Sequence, residues 1–193
     1  MKRRFVIGRL AERANARQSS RELTSRAINA NLFFEAWQQR LQAEGLSLAP
    51  LTSPSPMLWL RAREDRLAYL LTYYVGALML SSHFGEPSVS LGTLGEDCLA
   101  VRITAPFLTG DLPMTMDNAG LLRLRAEAQR ELAEIAGELG ALVSFDRTRL
   151  DFTVSVTLPA YTELPSAVRE TAASFAATIA AAVSDAIREL RER

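Results

Sequence analysis

Apolar positions along the chain follow two periodicities, one typical of helices and one typical of strands. Residues that recur every three or four positions predict four helices. The first begins after the helix-start signal of Ser19 and Ser20 and ends near Gly45, which is placed as a C-cap. The other three helices are expected over residues 63–82, 121–139 and 166–193.

Shorter segments alternate between apolar and polar residues, and this period of two predicts strands. Gly95-Glu96-Asp97 separates two such segments and is typical of the turn of a β-hairpin. Prolines and glycines cluster over residues 46–56 and 106–120, where loops are expected. The predicted strands are Arg4–Leu10, Met57–Arg61, Ser88–Leu94, Cys98–Ile103, Ala141–Phe145 and Asp151–Leu158.

The order of these elements predicts an α+β sandwich. It implies a mixed, mainly antiparallel sheet of about five strands, covered on one face by three helices. We expect residues 1–161 to form this domain and residues 162–193 to hold a separate alanine-rich amphipathic helix. A chain of 193 residues is long enough to bury about two-thirds of its unfolded surface.

The C-terminal helix carries apolar residues at alternating spacings of four and three, which form a heptad-like seam. Such a stripe has to be buried, either on the chain's own domain or on a second copy. We favour the second copy and therefore predict a homodimer through this helix. Phe34 lies off the apolar face of the first helix and is a further candidate for an exposed contact. The seam residues are Val168, Ala172, Phe175, Ile179, Ala182, Ala186 and Leu190, with Glu189 as an alternative to the last.

Charge is balanced over the whole chain, which has 22 basic and 22 acidic residues. Residues 1–26 hold eight basic and two acidic side chains and carry +6, whereas residues 27–164 hold ten and sixteen and carry −6. Such an asymmetry can steer an acidic partner. After Phe5, however, no aromatic residue interleaves with the N-terminal arginines, so stacking on bases is not indicated. Nucleic-acid binding is therefore not expected.

Few side chains are available for metal or nucleophilic chemistry. His83 is the single histidine and Cys98 the single cysteine, so we expect no internal disulfide and a reducing, cytoplasmic compartment. Glu64 and Asp65 are adjacent carboxylates, but acidic residues are expected at a helix start because they complement its dipole. No apolar segment is long enough to span a bilayer. The preference for arginine over lysine, with abundant alanine and leucine, is typical of a bacterial GC-rich genome.

Several segments together resemble the catalytic ATP-binding domain of sensor histidine kinases. Residues 57–78 (MLWLRAREDRLAYLLTYYVGAL) are similar to that family's strand, acidic turn and central helix. Residues 130–143 (RELAEIAGELGALV) resemble its last helix, which runs into a glycine and a strand. Residues 152–159 (FTVSVTLP) resemble its closing strand, and residues 26–46 resemble its opening helix. The resemblance implies the GHKL-type sandwich fold of that family.

The residues that bind nucleotide in that family do not carry over. The resemblance places its two helix asparagines on Thr72 and Gly76, and glycine has no side-chain oxygen to offer magnesium. The aspartate that reads adenine falls on Thr104. The family's phosphate-binding glycines, which stand at a helix start, fall near Ala126, with Gly120 as an alternative placement that supplies only one glycine. The resemblance therefore implies a degenerate domain with no ATP, metal or other cofactor.

The histidine that accepts phosphate in that family lies on a helical hairpin before the domain, whereas His83 follows the second predicted helix. We therefore predict a non-catalytic signalling protein that binds a response regulator, a kinase or another regulator of two-component signalling. Two alternatives stay open. One is a histidine phosphotransferase-like phosphorelay protein that uses His83, and the other is an ATP-binding enzyme with atypical ligands. An enzyme on an unrelated α+β fold is a further rival, but no catalytic group can be nominated for it.

Overall fold

The computed structural model describes residues 26–46, 48, 51, 58–95, 97–108, 117–161 and 172–192. Within these residues the chain forms six strands and five helices. In chain order the elements are β1 (Arg26–Asn29), α1 (Ala30–Ala43), β2 (Trp59–Ala62), α2 (Glu64–Leu80), β3 (Ser88–Thr93), β4 (Cys98–Pro106), α3 (Asn118–Leu121), α4 (Ala126–Glu138), β5 (Leu142–Arg147), β6 (Asp151–Tyr161) and α5 (Ala172–Arg191).

The strands form one sheet in the order β1-β2-β6-β4-β3, with β5 also paired to β6. The long strand β6 has β4 along one edge, in a register that places Val156 opposite Val101. Strand β5 and the first two residues of β2 pair with β6 as well. Every pairing among the described strands is antiparallel. The predicted α+β class is confirmed, with six strands instead of about five and with no parallel pair in this part of the chain.

Alternation along β4 and β6 decides which face of the sheet carries the core. Leu99, Val101, Ile103 and Ala105 of β4 are buried, whereas Arg102 between them is exposed. Successive side chains of a strand point to opposite faces, so the odd-numbered residues of β4 share the core face. The even-numbered residues of β6 from 152 to 160 are buried in the same core. The predicted hairpin of β3 and β4 is confirmed.

The first predicted helix is correct at its end and too long at its start. Residues 26–29 are strand β1, which pairs with β2. Helix α1 begins after Asn29, whose side-chain oxygen accepts a hydrogen bond from the backbone N–H of Leu32 at 3.2 Å. Asparagine is among the best N-cap residues, so Asn29 marks the start of the helix and the earlier serines do not. Gly45 follows the helix with φ of +81°, as a C-terminal glycine does.

The third predicted helix, over residues 121–139, begins five residues too early, because Leu121 is the last residue of the separate short helix α3. Helix α3 ends in a turn at Arg123, whose φ of 51° places it in the left-handed region. The N–H groups of Arg123 and Leu124 bond to the carbonyls of Gly120 and Ala119, which is the Schellman pattern of helix ends. Helix α4 then starts at Ala126. Periodicity alone did not reveal the break because glycine, the usual residue at this position, is replaced by arginine.

The predicted helix over 63–82 is confirmed as α2, with Glu64 and Asp65 in its first turn. Arg63 forms an ion pair with Asp65 at 2.6 Å, so the adjacent carboxylates belong to the helix start. Helix α5 packs against α1 and α2, and its buried side chains join the same core as the sheet. Among the described residues, no helix is both long and apolar enough to cross a bilayer. The predicted strand Arg4–Leu10 lies outside the described residues.

Candidate functional site

Thr72, the first of the two helix positions expected to be lost for nucleotide, is fully buried in α2. Its hydroxyl oxygen accepts a hydrogen bond from the indole N–H of Trp37 at 2.9 Å. Trp37 lies on α1 and is also fully buried. A buried indole N–H needs an acceptor, and Thr72 supplies it. The hydroxyl therefore ties α1 to α2.

Gly76, the second of these positions, lies one turn further along α2 and faces α5. A Cβ atom added to Gly76 would overlap the Cδ1 atom of Leu190 in α5. The side chain of Leu190 is almost completely buried, so the methyl group fills the space above the glycine. A side chain at position 76 would therefore require the end of the Leu190 side chain to move. The position at which the resemblance expects an asparagine is therefore covered by Leu190 of α5.

Polar side chains fix α5 in this position. The hydroxyl of Tyr69 in α2 donates a hydrogen bond to the carboxylate of Glu189 at 2.5 Å. Toward the middle of α5, the Ser184 hydroxyl accepts from the Arg40 guanidinium at 2.9 Å and donates to the Glu44 carboxylate at 3.1 Å. These bonds join the C-terminal end of α5 to α2 and its middle to the end of α1.

The other two predicted nucleotide positions are not brought to this contact. Thr104 lies on the even-numbered side of β4, away from the core, and its hydroxyl is 3.1 Å from that of Thr153 on β6. Ala126 is the exposed first residue of α4. Thr72 and Gly76 are thus covered by α1 and α5, whereas Thr104 points to the opposite face of the sheet.

His83 lies in the turn that follows α2 and is partly buried. Its backbone is held by two hydrogen bonds, one from its N–H to the Ser81 hydroxyl at 3.4 Å and one from the Leu108 N–H to its carbonyl at 3.0 Å. In the part of the chain that the structure describes, no three His, Cys, Asp or Glu side chains cluster as metal ligands do.

The predicted interface needs correction where its side chains are described. Phe34 is only 1% exposed and its ring packs edge-on against Phe33 and Trp37, so the prediction of an exposed aromatic is wrong. Ile179, Ala186 and Leu190 are buried within the chain, because the seam of α5 faces α1 and α2. Val168 and the side chains of Ala172 and Phe175 lie outside the description. Dimerisation itself stays a prediction.

An apolar cavity of about 460 Å³ lies between α2, α4 and β5. Its walls include Leu132, Ala136, Val143 and Phe145, with the phenol of Tyr74 at one side. Burial raises the pKa of Tyr74 to about 12, because the phenolate loses its hydration there. The ring of Tyr74 meets that of Phe145 at 73°, with centroids 6.0 Å apart. This cavity could not be predicted from the sequence, because its lining comes from four separate segments.

A second cavity, of about 430 Å³, adjoins the contact between α2 and α5. Three of its lining residues are arginines: Arg123, Arg125 and Arg191. We call this cavity the arginine pocket. The pocket could not be predicted from the sequence, because the third arginine is 66 residues beyond the second and only the packing of α5 brings these residues to one cavity. Its remaining lining residues are Ala77, Leu80, Ser81, Leu122 and Leu190.

Comparison with solved structures identifies the fold. A histidine kinase from Burkholderia phymatum STM815 superposes with a TM-score of 0.51 at 13% identity, over 83% of this chain and 82% of that one. The Acinetobacter baumannii histidine kinase AdeS gives 0.45 at 15% identity, over 80% and 78%. The mycobacterial sensor histidine kinase MprB gives 0.46 at 10% identity, over 71% and 98%.

The chain therefore has the GHKL-like fold of histidine-kinase ATPase domains, as the resemblance implied. At these identities the likeness concerns the fold alone. No protein-family model matches the sequence, and no curated protein matches it either. The function has to be argued from the residues themselves.

Proposed function

We propose that this chain is a non-catalytic signalling protein that recognises a protein partner of a two-component system and does not bind magnesium–ATP. The observation that carries the proposal is the contact between Gly76 and Leu190. The resemblance assigns the magnesium-binding asparagine of sensor kinases to position 76. Here that position has no side chain, and an apolar group of α5 is seated on it.

The chemistry of this contact is unsuited to a metal–phosphate complex. Magnesium requires oxygen ligands in near-octahedral geometry. The hydroxyl of Thr72, one turn earlier on α2, already accepts the hydrogen bond of Trp37. Placing phosphate charges against Leu190 would bury them without compensating partners, which is costly. Binding would therefore require α5 to leave its site.

The link to two-component signalling rests on fold-level analogy with histidine kinases. Domains of that fold act beside receiver domains of response regulators, so a receiver domain is the partner class we propose. Recognition of this kind needs a folded surface and no reacting group. The partner of a kinase-like domain without chemistry can equally be a kinase, which the experiment below includes.

The test is a binding measurement with the full chain immobilised and the receiver domains and kinases of the source organism in solution. We expect saturable binding of at least one of them, unchanged by millimolar magnesium–ATP. Absence of binding by all of them would contradict the proposed partner class. Each receiver domain is also offered in its phosphorylated form, and acid-labile phosphate is measured on the chain. Transfer that disappears in His83→Ala would support the phosphorelay alternative and contradict a non-catalytic role.

A further inference from the structure

The arginine pocket combines charge and apolar surface in a way that the proposed function does not use. Arg123 lies in the turn between α3 and α4, Arg125 directly precedes α4, and Arg191 is the last residue of α5. All three are exposed at the rim. Among the described residues that line the cavity, none is acidic. The rim is therefore locally cationic in a chain whose net charge is zero.

The floor and walls of the same cavity are apolar. Ala77 and Leu122 are buried in the wall, and Leu190 closes the side toward α5. Leu80, at the end of α2, is 57% exposed although it is a large apolar side chain. A cavity of about 430 Å³ is in the range that small organic ligands occupy. The combination suits a ligand with an apolar body and a charged end.

The backbone at Arg123 supports a role for its side chain. Within the described residues, Arg123 is the single non-glycine residue with positive φ, at 51°. The Schellman turn that it closes usually has glycine at this position, because a Cβ atom is unfavourable in the left-handed region. Its guanidinium donates a hydrogen bond to the hydroxyl of Ser82, in the turn after α2, at 3.2 Å. Arg123 therefore occupies a backbone position that usually favours glycine, and it also lines the pocket.

We propose that the arginine pocket binds a small amphiphilic anion, with a phosphate or carboxylate head at the arginines and an apolar body against Leu80 and Leu122. Guanidinium groups hold both kinds of head through paired, charge-assisted hydrogen bonds. The site needs no metal ion, because the arginines supply the positive charge. It is independent of the proposed function, which concerns the partner protein and magnesium–ATP.

The experiment is a calorimetric titration of the full chain with phenyl phosphate, phenylacetate and inorganic phosphate, each in EDTA. We expect at least one of the two aromatic anions to bind, and to bind about tenfold or more tightly than inorganic phosphate, because the ring buries apolar surface. Binding of phenyl phosphate alone assigns a phosphate head, and binding of phenylacetate alone assigns a carboxylate head. Both results support the proposal.

Variants locate the site. Arg123→Gln and Arg191→Gln should each weaken binding about tenfold or more, because a charge-assisted hydrogen bond is lost. Arg188→Gln is the matched control on α5, since Arg188 is exposed and pairs with Asp185 at 2.6 Å. It should bind like the wild type. Arg191 is at a helix end, so its variant keeps the test valid if Arg123→Gln fails to fold. Failure of both aromatic anions to bind, or equal affinity in all variants, would overturn the proposal.

Discussion

The side chain of Leu190 in α5 fills the space that a side chain at Gly76 in α2 would need. The Cδ1 atom of Leu190 lies where a Cβ atom of residue 76 would be, and neither side of the contact reaches solvent to any extent. A larger residue at position 76 and a seated α5 are therefore in competition. The C-terminal helix, which the sequence predicted as a separate element, packs into the core and covers Gly76, one of the positions where the resemblance expects a nucleotide-binding residue.

The competition predicts a coupling that a double-mutant cycle measures. Gly76→Ala should lower the free energy of unfolding in the wild type, although alanine is about 1 kcal/mol better than glycine within a helix. In a Leu190→Ala background the overlap is gone, so the same substitution should raise stability by about 1 kcal/mol. Urea unfolding of the four proteins gives the cycle. An equal effect of Gly76→Ala in both backgrounds would show that the two residues do not compete.

The bond between Trp37 and Thr72 predicts a difference between two similar variants. Thr72→Val keeps the shape of the side chain but leaves the buried indole N–H without its acceptor, at a cost of about 1–3 kcal/mol. Thr72→Ser retains the hydroxyl and loses one methyl group, so its cost should be about 1 kcal/mol. Denaturant titration followed by tryptophan fluorescence measures both. If serine were as costly as valine, the hydrogen bond would not be the reason.

Because the seam of α5 is part of the core, a charged residue on the seam is expected to destabilise the whole domain and not α5 alone. Ile179 is fully buried, so Ile179→Asp should destabilise the whole domain by about 4 kcal/mol or more, through lost burial and an unpaired charge. Ala181→Asp, on the exposed side of the same helix, is the matched control and should change stability by less than about 0.5 kcal/mol. Thermal unfolding followed by circular dichroism reads both variants. Loss of oligomer mass in light scattering with unchanged stability would instead support the dimer seam.

Burial of Tyr74 predicts a loss of stability at alkaline pH. Its pKa is about 12 in the folded chain and about 10 when unfolded. Between these values the unfolded chain has released a proton that the folded chain retains, so stability falls as pH rises from 10 toward 12 and is fully present below 10. Tyr74→Phe should flatten this fall, and the exposed Tyr161→Phe should not. Urea unfolding at pH 8, 10 and 11 decides, and an unaltered slope in Tyr74→Phe would contradict the burial argument.

Much of the fold could be predicted because local pattern and tertiary structure agree. The alternation in β4 and β6 and the helical spacing in α2 and α4 match the secondary structure and the burial that the structure shows. Element boundaries were less certain where local signals competed. The serines at 19 and 20 predicted a helix start that lies at Asn29 in the structure. The turn at Arg123 was not predicted because it lacks the usual glycine.

The site could be predicted only in part, for a physical reason. Sequence resemblance predicts where the family's functional residues would fall, such as an asparagine at position 76, which is glycine here. It does not reveal what fills the space, because the partner in that contact is Leu190, more than a hundred residues away. The same holds for Phe34, whose off-stripe position suggested exposure while neighbouring aromatic rings enclose it. An amphipathic stripe on α5 shows that a helix face is buried, but not against which surface.

We propose that this chain does not bind a magnesium–nucleotide complex, and thermal unfolding of the full chain tests this proposal. The melting temperature is measured with millimolar ATP or ADP, each with magnesium and with EDTA. A ligand at about 100 times its dissociation constant adds about 2.7 kcal/mol of stability, which is roughly 5–10 °C for a chain of this size. The account predicts no magnesium-dependent rise. A rise of that size that appears with magnesium and vanishes in EDTA would contradict it.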